Sequence, residues 1–290
     1  MGLSESEKKQ FIEDGYIVVE SAFDVDHPTI AKWIEDNWGR CGLDPCAPES
    51  WPGKVHLPGD DKLLFKEIAP VAYEKVIALL GGEERMGYDL YLHNGFVNNF
   101  AMGRDEPWKD LKASGGWHVD GDFFRHFLDS KEQSCLIGSY FTDIEHQGGA
   151  TLISPGSHLH VARFLAKHPE GVRPDFVAEN NILDLCDRFI ELTAHAGDVV
   201  IMHPFMMHSS SQNKSNKARL MNNNNTDLKE NMNLNREDGG YSMVEKSILH
   251  ALGVDHFDFQ ITHPREAIVP LRVKKQKEYA DKLALVRVEK

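Results

Sequence analysis

A histidine and an aspartate two residues apart, His118 and Asp120, are the first side chains that could bind a metal together. In an extended strand, residues i and i+2 face the same side, so both side chains can converge on one point. In a helix, the same spacing would separate them by about 200°. One imidazole and one carboxylate make two of the three ligands of a facial triad, a site typical of non-haem Fe(II) oxygenases. The third ligand must come from another part of the chain.

His208 is the best candidate for the third ligand. It follows a strand-like apolar run at 199–203, which a proline ends, and it opens a second short strand. His195 and His203 are its competitors, and His203 is expected to pack in or near the site. Arg219, eleven residues after His208 in another apolar run, favours His208, because its planar guanidinium can bind a carboxylate bidentately. The pattern predicts Fe(II) together with 2-oxoglutarate and O2.

Other kinds of site are weaker interpretations of these residues. A zinc hydrolase could use the same ligands, but no H-E-x-x-H is present and Arg219 would have no purpose. A non-catalytic ligand-binding or sensing module on the same fold is a second alternative, against which the complete triad and Arg219 argue. His158 and His160 could ligate a metal in a cupin-like site, but the preceding Pro-Gly-Ser favours surface residues.

The elements that must position these residues are mainly β-strands with flanking helices. From residue 88 onward, short apolar runs alternate with Gly, Asn and Asp turns, the pattern of an antiparallel sandwich or barrel. The predicted strands lie at 16–19 and within 88–100, 135–142, 150–154, 189–194, 199–203 and 219–221. The predicted helices lie before Gly15, at 28–38, at 63–80 with a break at Pro70, and at 157–169. The segments 40–62 and 222–225 are predicted to be loops.

We expect one domain over residues 1–290. Helical and strand support at 1–87 precedes a β core at 88–225, and a C-terminal extension at 226–290 includes a basic helix. Substrate choice is expected to depend on three pocket-forming loops, at 101–114, 121–133 and 222–245.

Composition excludes several classes of protein. The formal charge of -13, from 45 acidic against 32 basic residues, argues against nucleic acid as a partner. No apolar run reaches the roughly 18 residues of a membrane span, and the polar N-terminus lacks the apolar run of a secretory signal. The four cysteines form no C-x-x-C pair, which indicates free thiols in a reducing compartment. We therefore expect a cytoplasmic protein with a small-molecule substrate and no membrane partner.

Several motifs together resemble the phytanoyl-CoA dioxygenase family of Fe(II)/2-oxoglutarate-dependent oxygenases. They are His118-Val-Asp120, the Gly148-Gly-Ala150 turn, Pro155-Gly-Ser-His158, Gly197-Asp198-Val-Val, His208 and Arg219, with an opening Phe11-x-x-Asp14-Gly15-Tyr16. The similarity spans roughly residues 8–222. A lone His-x-Asp is weak evidence, whereas the full series in this order is strong.

The resemblance implies a double-stranded β-helix, a jelly-roll or cupin-like core. It also implies that His118, Asp120 and His208 bind Fe(II), that Arg219 binds the distal carboxylate of 2-oxoglutarate, and that Ser210 supplies a hydroxyl. By the same resemblance, Asn98 or Asn99 places an amide near the cosubstrate. The implied activity is hydroxylation of an unactivated C–H bond with release of succinate and CO2, with desaturation or cyclisation as other oxidative outcomes. The carboxylate at position 120 disfavours a halogenase, in which a small residue leaves room for chloride.

Overall fold

Two antiparallel sheets account for most strands of the protein, as a computed structural model of the chain shows; it describes residues 2–270 and Val273. The strands are β1 (Tyr16–Val19), β2 (Lys54–His56), β3 (Lys62–Leu64), β4 (Tyr91–His93), β5 (Val97–Asn99), β6 (Leu136–Tyr140), β7 (Thr151–Ile153), β8 (Ile190–Leu192), β9 (Val199–Met202), β10 (His208–Ser210) and β11 (Arg219–Asn225). The larger sheet has the order β1-β9-β6-β11-β5-β2, and the smaller has the order β10-β7-β8. Strands β3 and β4 form a separate pair. Most of the predicted basic tail helix lies outside the described residues.

The alternation of side chains along the larger sheet gives the protein two apolar layers. On β9, Val199 and Ile201 pack into the cluster that includes the helices, whereas Val200 and Met202 pack into a second cluster. The second cluster also contains Ile153 of β7, so it fills the space between the two sheets. This is the sandwich of a double-stranded β-helix, as predicted, with its helices on the outer face of the larger sheet.

The helices begin and end in the sequence where local sequence rules favour it. They are α1 (Glu5–Glu13), α2 (Pro28–Cys41), α3 (Phe65–Ile68), α4 (Pro70–Leu80), α5 (Ser157–Leu165), α6 (Phe176–Glu179) and α7 (Met243–Leu252). Two of the helices begin with a capping box. Ser4 and Glu7 form the one at the start of α1, and Ser242 and Glu245 form the one at the start of α7. Pro70 separates α3 from α4, as predicted, because a proline is tolerated in the first turn of a helix but not in its interior.

Two segments predicted to be loops contain strands of the larger sheet. Residues 222–225 continue β11, where each pairs with a residue of β6 from Leu136 to Ser139. The prediction of a loop there was wrong because asparagine favours turns only locally, and pairing with a central strand outweighs that preference. Segment 40–62 contains β2, which pairs with β5 at the sheet edge. The predicted N-terminal support thus contributes β1 and β2 to the larger sheet itself; the domain limits otherwise stay a prediction.

Candidate active site

His118 and His208 form an isolated antiparallel backbone pair. The N–H of each residue donates to the carbonyl of the other, at 3.1 and 3.0 Å. Residues directly opposite each other in such a pair present their side chains on the same face. The two imidazole rings lie with their centroids 4.3 Å apart. The predicted strand at 118–120 is therefore reduced to a single bridge, but it brings the two histidines together as the sequence indicated.

Asp120 completes a compact group of three ligand atoms. Its Oδ1 lies 3.2 Å from Nε2 of His118 and 3.3 Å from Nε2 of His208. All three ligand atoms lie within 4.8 Å of one another, the one such group among the described histidine, cysteine and acidic residues. Two ligands at right angles around an ion, each bonded at about 2.1 Å, stand ~3 Å apart. The group thus has the dimensions of three adjacent positions on a metal ion.

The hydrogen bonds of the two rings fix which nitrogen faces the centre. Nδ1 of His118 lies 2.7 Å from the carbonyl of Gly116, and Nδ1 of His208 lies 3.1 Å from the carbonyl of Met206. A carbonyl only accepts, so each Nδ1 carries a hydrogen, and in the neutral rings each Nε2 has a lone pair. Two lone pairs facing one carboxylate oxygen repel it unless a cation lies between them. These residues therefore fit a bound metal.

The ionisation of the triad agrees with this fit. Burial would raise the pKa of Asp120, but the neighbouring His208 and His118 hold it well below its usual range. Burial would lower the pKa of His118, but the hydrogen bond and charge of Asp120 raise it. Asp120 is therefore an ionised carboxylate at neutral pH, and a divalent metal competes with protons for the histidine nitrogens.

Asn223 orients the carboxylate of the triad. Its Nδ2 donates to Oδ2 of Asp120 at 2.8 Å, which leaves Oδ1 directed at the two histidines. Asn223 lies on β11, and the alternate residues of that strand from Arg219 onward line the same cavity. Asn223 was not predicted as a site residue because it belongs to the asparagine run that was expected to be a loop.

Arg219 is a buried cation without an ionic partner. It is 1% exposed, and no carboxylate of the described residues lies within ion-pair distance of it. Its two terminal nitrogens make only long hydrogen bonds, at 3.5 Å to the hydroxyl of Thr151 and 3.4 Å to the carbonyl of Val97, and its Nε has no partner there. Burial lowers the pKa of Arg219 to about 10, so the side chain stays charged at neutral pH. A buried, uncompensated guanidinium fits an anionic ligand.

Lys54 is a second cation at the same end of the cavity. Its Nζ donates to the hydroxyl of Ser210 at 2.9 Å. Burial, followed by the charge of Arg219, lowers the pKa of Lys54. Lys54 also lies close enough to oppose protonation of His118. It therefore lies near both the triad and Arg219, and it was not predicted from the sequence because β2 was expected to be a loop.

One cavity of about 990 Å3 contains the triad and both cations. Ser210 lines it, as predicted, as do residues of the predicted pocket segments 121–133 and 222–245. No residue of 101–114 does, so that part of the pocket prediction was wrong. Among the described residues, β2 and β5 also contribute to the walls, which was not predicted.

Neither Asn98 nor Asn99 lines this cavity. The Asn98 side chain is hydrogen-bonded to Asn37 of α2, on the helical face of the sheet. The Asn99 Nδ2 donates to the carbonyls of Gly149 and Ser211, and its Oδ1 accepts from the N–H of Met102. The structure thus does not bring the predicted amides to the cosubstrate end, because Asn98 faces α2 and Asn99 joins backbone segments.

The other histidines considered from the sequence lie away from the triad. His203 is fully buried and packs against Phe11 and His158, not at the metal site. His158, expected at the surface, is 1% exposed, and its Nε2 donates to the carbonyl of Ile12. The competitor His195 is exposed. Of the three candidates for the third ligand, only His208 reaches Asp120.

Comparison with known proteins agrees with this site. Residues 109–221, which include the triad and Arg219, match the model of the family Phytanoyl-CoA dioxygenase (PhyH). An ectoine dioxygenase of Stutzerimonas stutzeri (strain A1501) is 27% identical over 233 residues, which cover 73% of this chain and 72% of that protein.

Solved structures with a related arrangement are more distant. HygX from Streptomyces hygroscopicus, with nickel and 2-oxoglutarate bound, is 12% identical with a TM-score of 0.42, over 76% of this chain and 85% of that one. EctD from S. alaskensis, with 2-oxoglutarate and 5-hydroxyectoine, is 16% identical with a TM-score of 0.40, over 76% of this chain and 74% of that one.

The family match and the curated relative define an Fe(II)/2-oxoglutarate-dependent dioxygenase, an enzyme that uses iron, 2-oxoglutarate and O2. Within that class, residues 109–221 match the phytanoyl-CoA dioxygenase family, and the resemblance predicted from the motifs is confirmed. None of the helices in the described part of the chain has the length and hydrophobicity needed to span a bilayer.

Proposed function

We propose that the enzyme hydroxylates an unactivated C–H bond of a small molecule, with Fe(II) held by His118, Asp120 and His208. The support is the convergence of the three ligand atoms within 4.8 Å and the outward turn of both Nδ1 atoms toward carbonyls. Bound there, Fe(II) supplies the activation of O2 that is coupled to decarboxylation of 2-oxoglutarate to succinate and CO2. The chain's own residues do the rest.

Arg219, Lys54 and Ser210 would bind 2-oxoglutarate. The single observation that carries this assignment is the buried, uncompensated guanidinium of Arg219. A dicarboxylate would neutralise Arg219 at its distal end, and Lys54, whose charge acts on both Arg219 and His118, adds a second positive charge. The Ser210 hydroxyl, which accepts from Lys54, can rotate to donate its own hydrogen to a carboxylate oxygen.

The remaining residues orient the triad and limit access of water. The hydrogen bond from Asn223 holds Asp120 with one oxygen toward the histidines, and the backbone pair of His118 and His208 fixes the separation of the rings. Apolar side chains of the cavity, among them Leu136, Met202 and Met221, surround the cosubstrate end. A substrate held against them would present a C–H bond in a site from which water is displaced.

A spectroscopic experiment tests the assignment of the ligands. Anaerobic addition of Fe(II) and 2-oxoglutarate to the metal-free protein should produce a weak visible charge-transfer band. His118→Ala and Asp120→Ala should each abolish it, whereas His195→Ala, which removes an exposed histidine, should leave it unchanged. Absence of the band in the unmodified protein, with no succinate formed under air across a broad substrate panel, would contradict the assignment. A non-catalytic binding module, the second candidate, would show ligand binding without succinate.

We also propose that the enzyme acts on a small molecule and is located in the cytoplasm. The four cysteines are free thiols, which supports a reducing compartment. Desaturation or cyclisation by the same site would also release succinate. Analysis of the oxidised product is therefore needed to distinguish these outcomes from hydroxylation.

A further inference from the structure

The charged side chains of the cavity differ in sign between two regions. Lys54 and Arg219 lie together at the end assigned to 2-oxoglutarate. Four carboxylates that do not belong to the triad also line the cavity and are called the acidic wall: Asp122, Glu132, Asp175 and Asp227. Because bound 2-oxoglutarate would neutralise both cations, the acidic wall would face the substrate.

Three of the four carboxylates of the acidic wall have no counter-ion among the described residues. Within the described residues, no lysine, arginine or histidine forms an ion pair with Glu132, Asp175 or Asp227. Burial raises the pKa of Asp227, and the charge of Glu132 adds to this rise, although the hydrogen bond from Tyr88 and the charge of Lys131 oppose it. Crowded carboxylates without counter-ions oppose folding, so their presence in a concave site indicates a cationic occupant.

A buried amide next to the acidic wall offers a further acceptor. Gln133 is 4% exposed and lines the cavity. His126 Nε2 lies 2.6 Å from the carbonyl of Gly121 and so carries the hydrogen, and its Nδ1 therefore accepts from Nε2 of Gln133 at 3.0 Å. This chain fixes the orientation of the amide. Its Oε1 has no hydrogen-bond partner among the described residues, and such a buried acceptor fits an N–H donor of a ligand.

Aromatic side chains adjoin these acceptors. Tyr88 and Phe123 line the cavity and are 49% and 54% exposed, and the Tyr88 hydroxyl donates to Asp227 at 3.3 Å. An aromatic face attracts a cation through its quadrupole. Carboxylates, an amide oxygen and aromatic rings in one cavity are the groups that bind organic cations.

We propose that the substrate is an organic cation with N–H donors, such as a protonated amine, an amidinium or a guanidinium, recognised by Glu132, Asp227 and Gln133. This inference rests on the proposed function, because it assigns the cations of the cavity to 2-oxoglutarate. The substrate's charge is bound at the acidic wall, and its hydrocarbon part extends toward the triad. The N–H donors bind the Oε1 of Gln133 and the carboxylate oxygens.

Four small probes of similar size separate charge from hydrogen bonding. Butylguanidinium carries a positive charge and N–H donors, butylurea has the same shape without the charge, butyltrimethylammonium has the charge without the donors, and pentanoate is an anion. Their binding is measured by calorimetry on the iron-free protein with saturating 2-oxoglutarate. We expect butylguanidinium to bind at least tenfold more tightly than butylurea and pentanoate to show no binding.

Three variants identify the residues responsible. Glu132→Gln and Asp227→Asn should each weaken butylguanidinium about tenfold and leave butylurea unchanged, whereas Glu230→Gln, the loss of an exposed acid outside the cavity, should change neither. Gln133→Leu should weaken butylguanidinium more than butyltrimethylammonium. Melting temperatures and unchanged 2-oxoglutarate binding check that each variant is folded.

Equal binding of butylguanidinium and butylurea, or retention of the preference in Glu132→Gln and Asp227→Asn, would overturn the inference. Because these measurements need no iron, their outcome is independent of turnover. Cation binding with no succinate formed under air would contradict the proposed function alone, and succinate formation with no cation preference would contradict this inference alone.

Discussion

The amide of Asn223 donates to Oδ2 of Asp120 at 2.8 Å, so a residue of the central strand β11 orients the carboxylate of the triad. The same strand carries Arg219, four residues earlier and on the same face. The proposed ligand of the metal and the proposed ligand of the cosubstrate are thus connected through one rigid element.

Loss of this amide should weaken metal binding without unfolding the protein. In Asn223→Ala, Asp120 loses its partner and can rotate away from the histidines, so the affinity for Fe(II) should fall about 10- to 100-fold. Metal titration under nitrogen measures this. Asn225→Ala is the matched control, because Asn225 lines the cavity from the same strand and makes no hydrogen bond to Asp120. Equal effects of the two substitutions would show that Asn223 has no orienting role.

Replacement of Arg219 should separate stability from cosubstrate binding. Arg219→Met removes a buried charge that no described residue neutralises, so the free energy of unfolding without ligand should rise by about 1 kcal/mol or more. The unmodified protein should gain about 2.7 kcal/mol at 2-oxoglutarate concentrations a hundredfold above Kd, and Arg219→Met should gain nothing. Thermal unfolding with and without 2-oxoglutarate measures both. A variant that 2-oxoglutarate still stabilises would disprove the assignment of Arg219.

Lys54 should contribute to cosubstrate affinity rather than to the fold. It lies on the edge strand β2, and among the described residues its Nζ donates to Ser210 alone. In Lys54→Met, the affinity for 2-oxoglutarate should fall about tenfold, equivalent to 1.4 kcal/mol, with the melting temperature unchanged. Lys32→Met, which removes an exposed lysine paired with Asp36 on α2, is the control. Calorimetric titration of 2-oxoglutarate compares the two, and matching affinities would contradict the role of Lys54.

Buried histidines should make the protein sensitive to acid. Burial lowers the pKa of His126 and of His158 to about 4, and burial and then the charge of His158 hold that of His203 well below its usual range. In the unfolded chain these groups titrate near pH 6.5, so the unfolded state binds more protons between pH 6.5 and 4. Stability is complete above pH 6.5 and declines as the pH falls through that interval, by up to about 3 kcal/mol for His126 or His158.

Urea unfolding at several pH values checks this dependence. The free energy of unfolding should decrease steadily between pH 7 and pH 5. The slope should be smaller in His158→Gln, if that variant folds, and unchanged in His195→Gln, which replaces an exposed histidine. A flat profile in the unmodified protein would show that these histidines are not neutral in the folded state.

Two of the three metal ligands could be predicted from local sequence because they stand two residues apart. The spacing of His118 and Asp120 implies a shared face only in extended backbone, and a proline before His208 indicated a new strand. Arg219 followed from its place in an apolar run. The pairing of His208 with His118 is not local, and only the structure shows it.

The residues that were missed depend on pairing between segments distant in sequence. Asn223 is a cavity residue only because β11 continues through the asparagine run to pair with β6. Lys54 reaches the cavity because β2 joins the edge of β5. Asn98 was predicted to lie near the cosubstrate, but the alternation of side chains along β5 turns its amide toward Asn37. Single-residue preferences do not contain this information.

The four-residue separation of Arg219 and Asn223 on β11 has a consequence for cosubstrate selection. At ~3.3 Å per residue, a strand fixes their Cα atoms roughly 13 Å apart. A rigid strand cannot shorten or lengthen this spacing to suit another dicarboxylate. The enzyme should therefore discriminate by chain length, and accept 2-oxoglutarate over oxaloacetate, which is one methylene shorter, and 2-oxoadipate, which is one methylene longer.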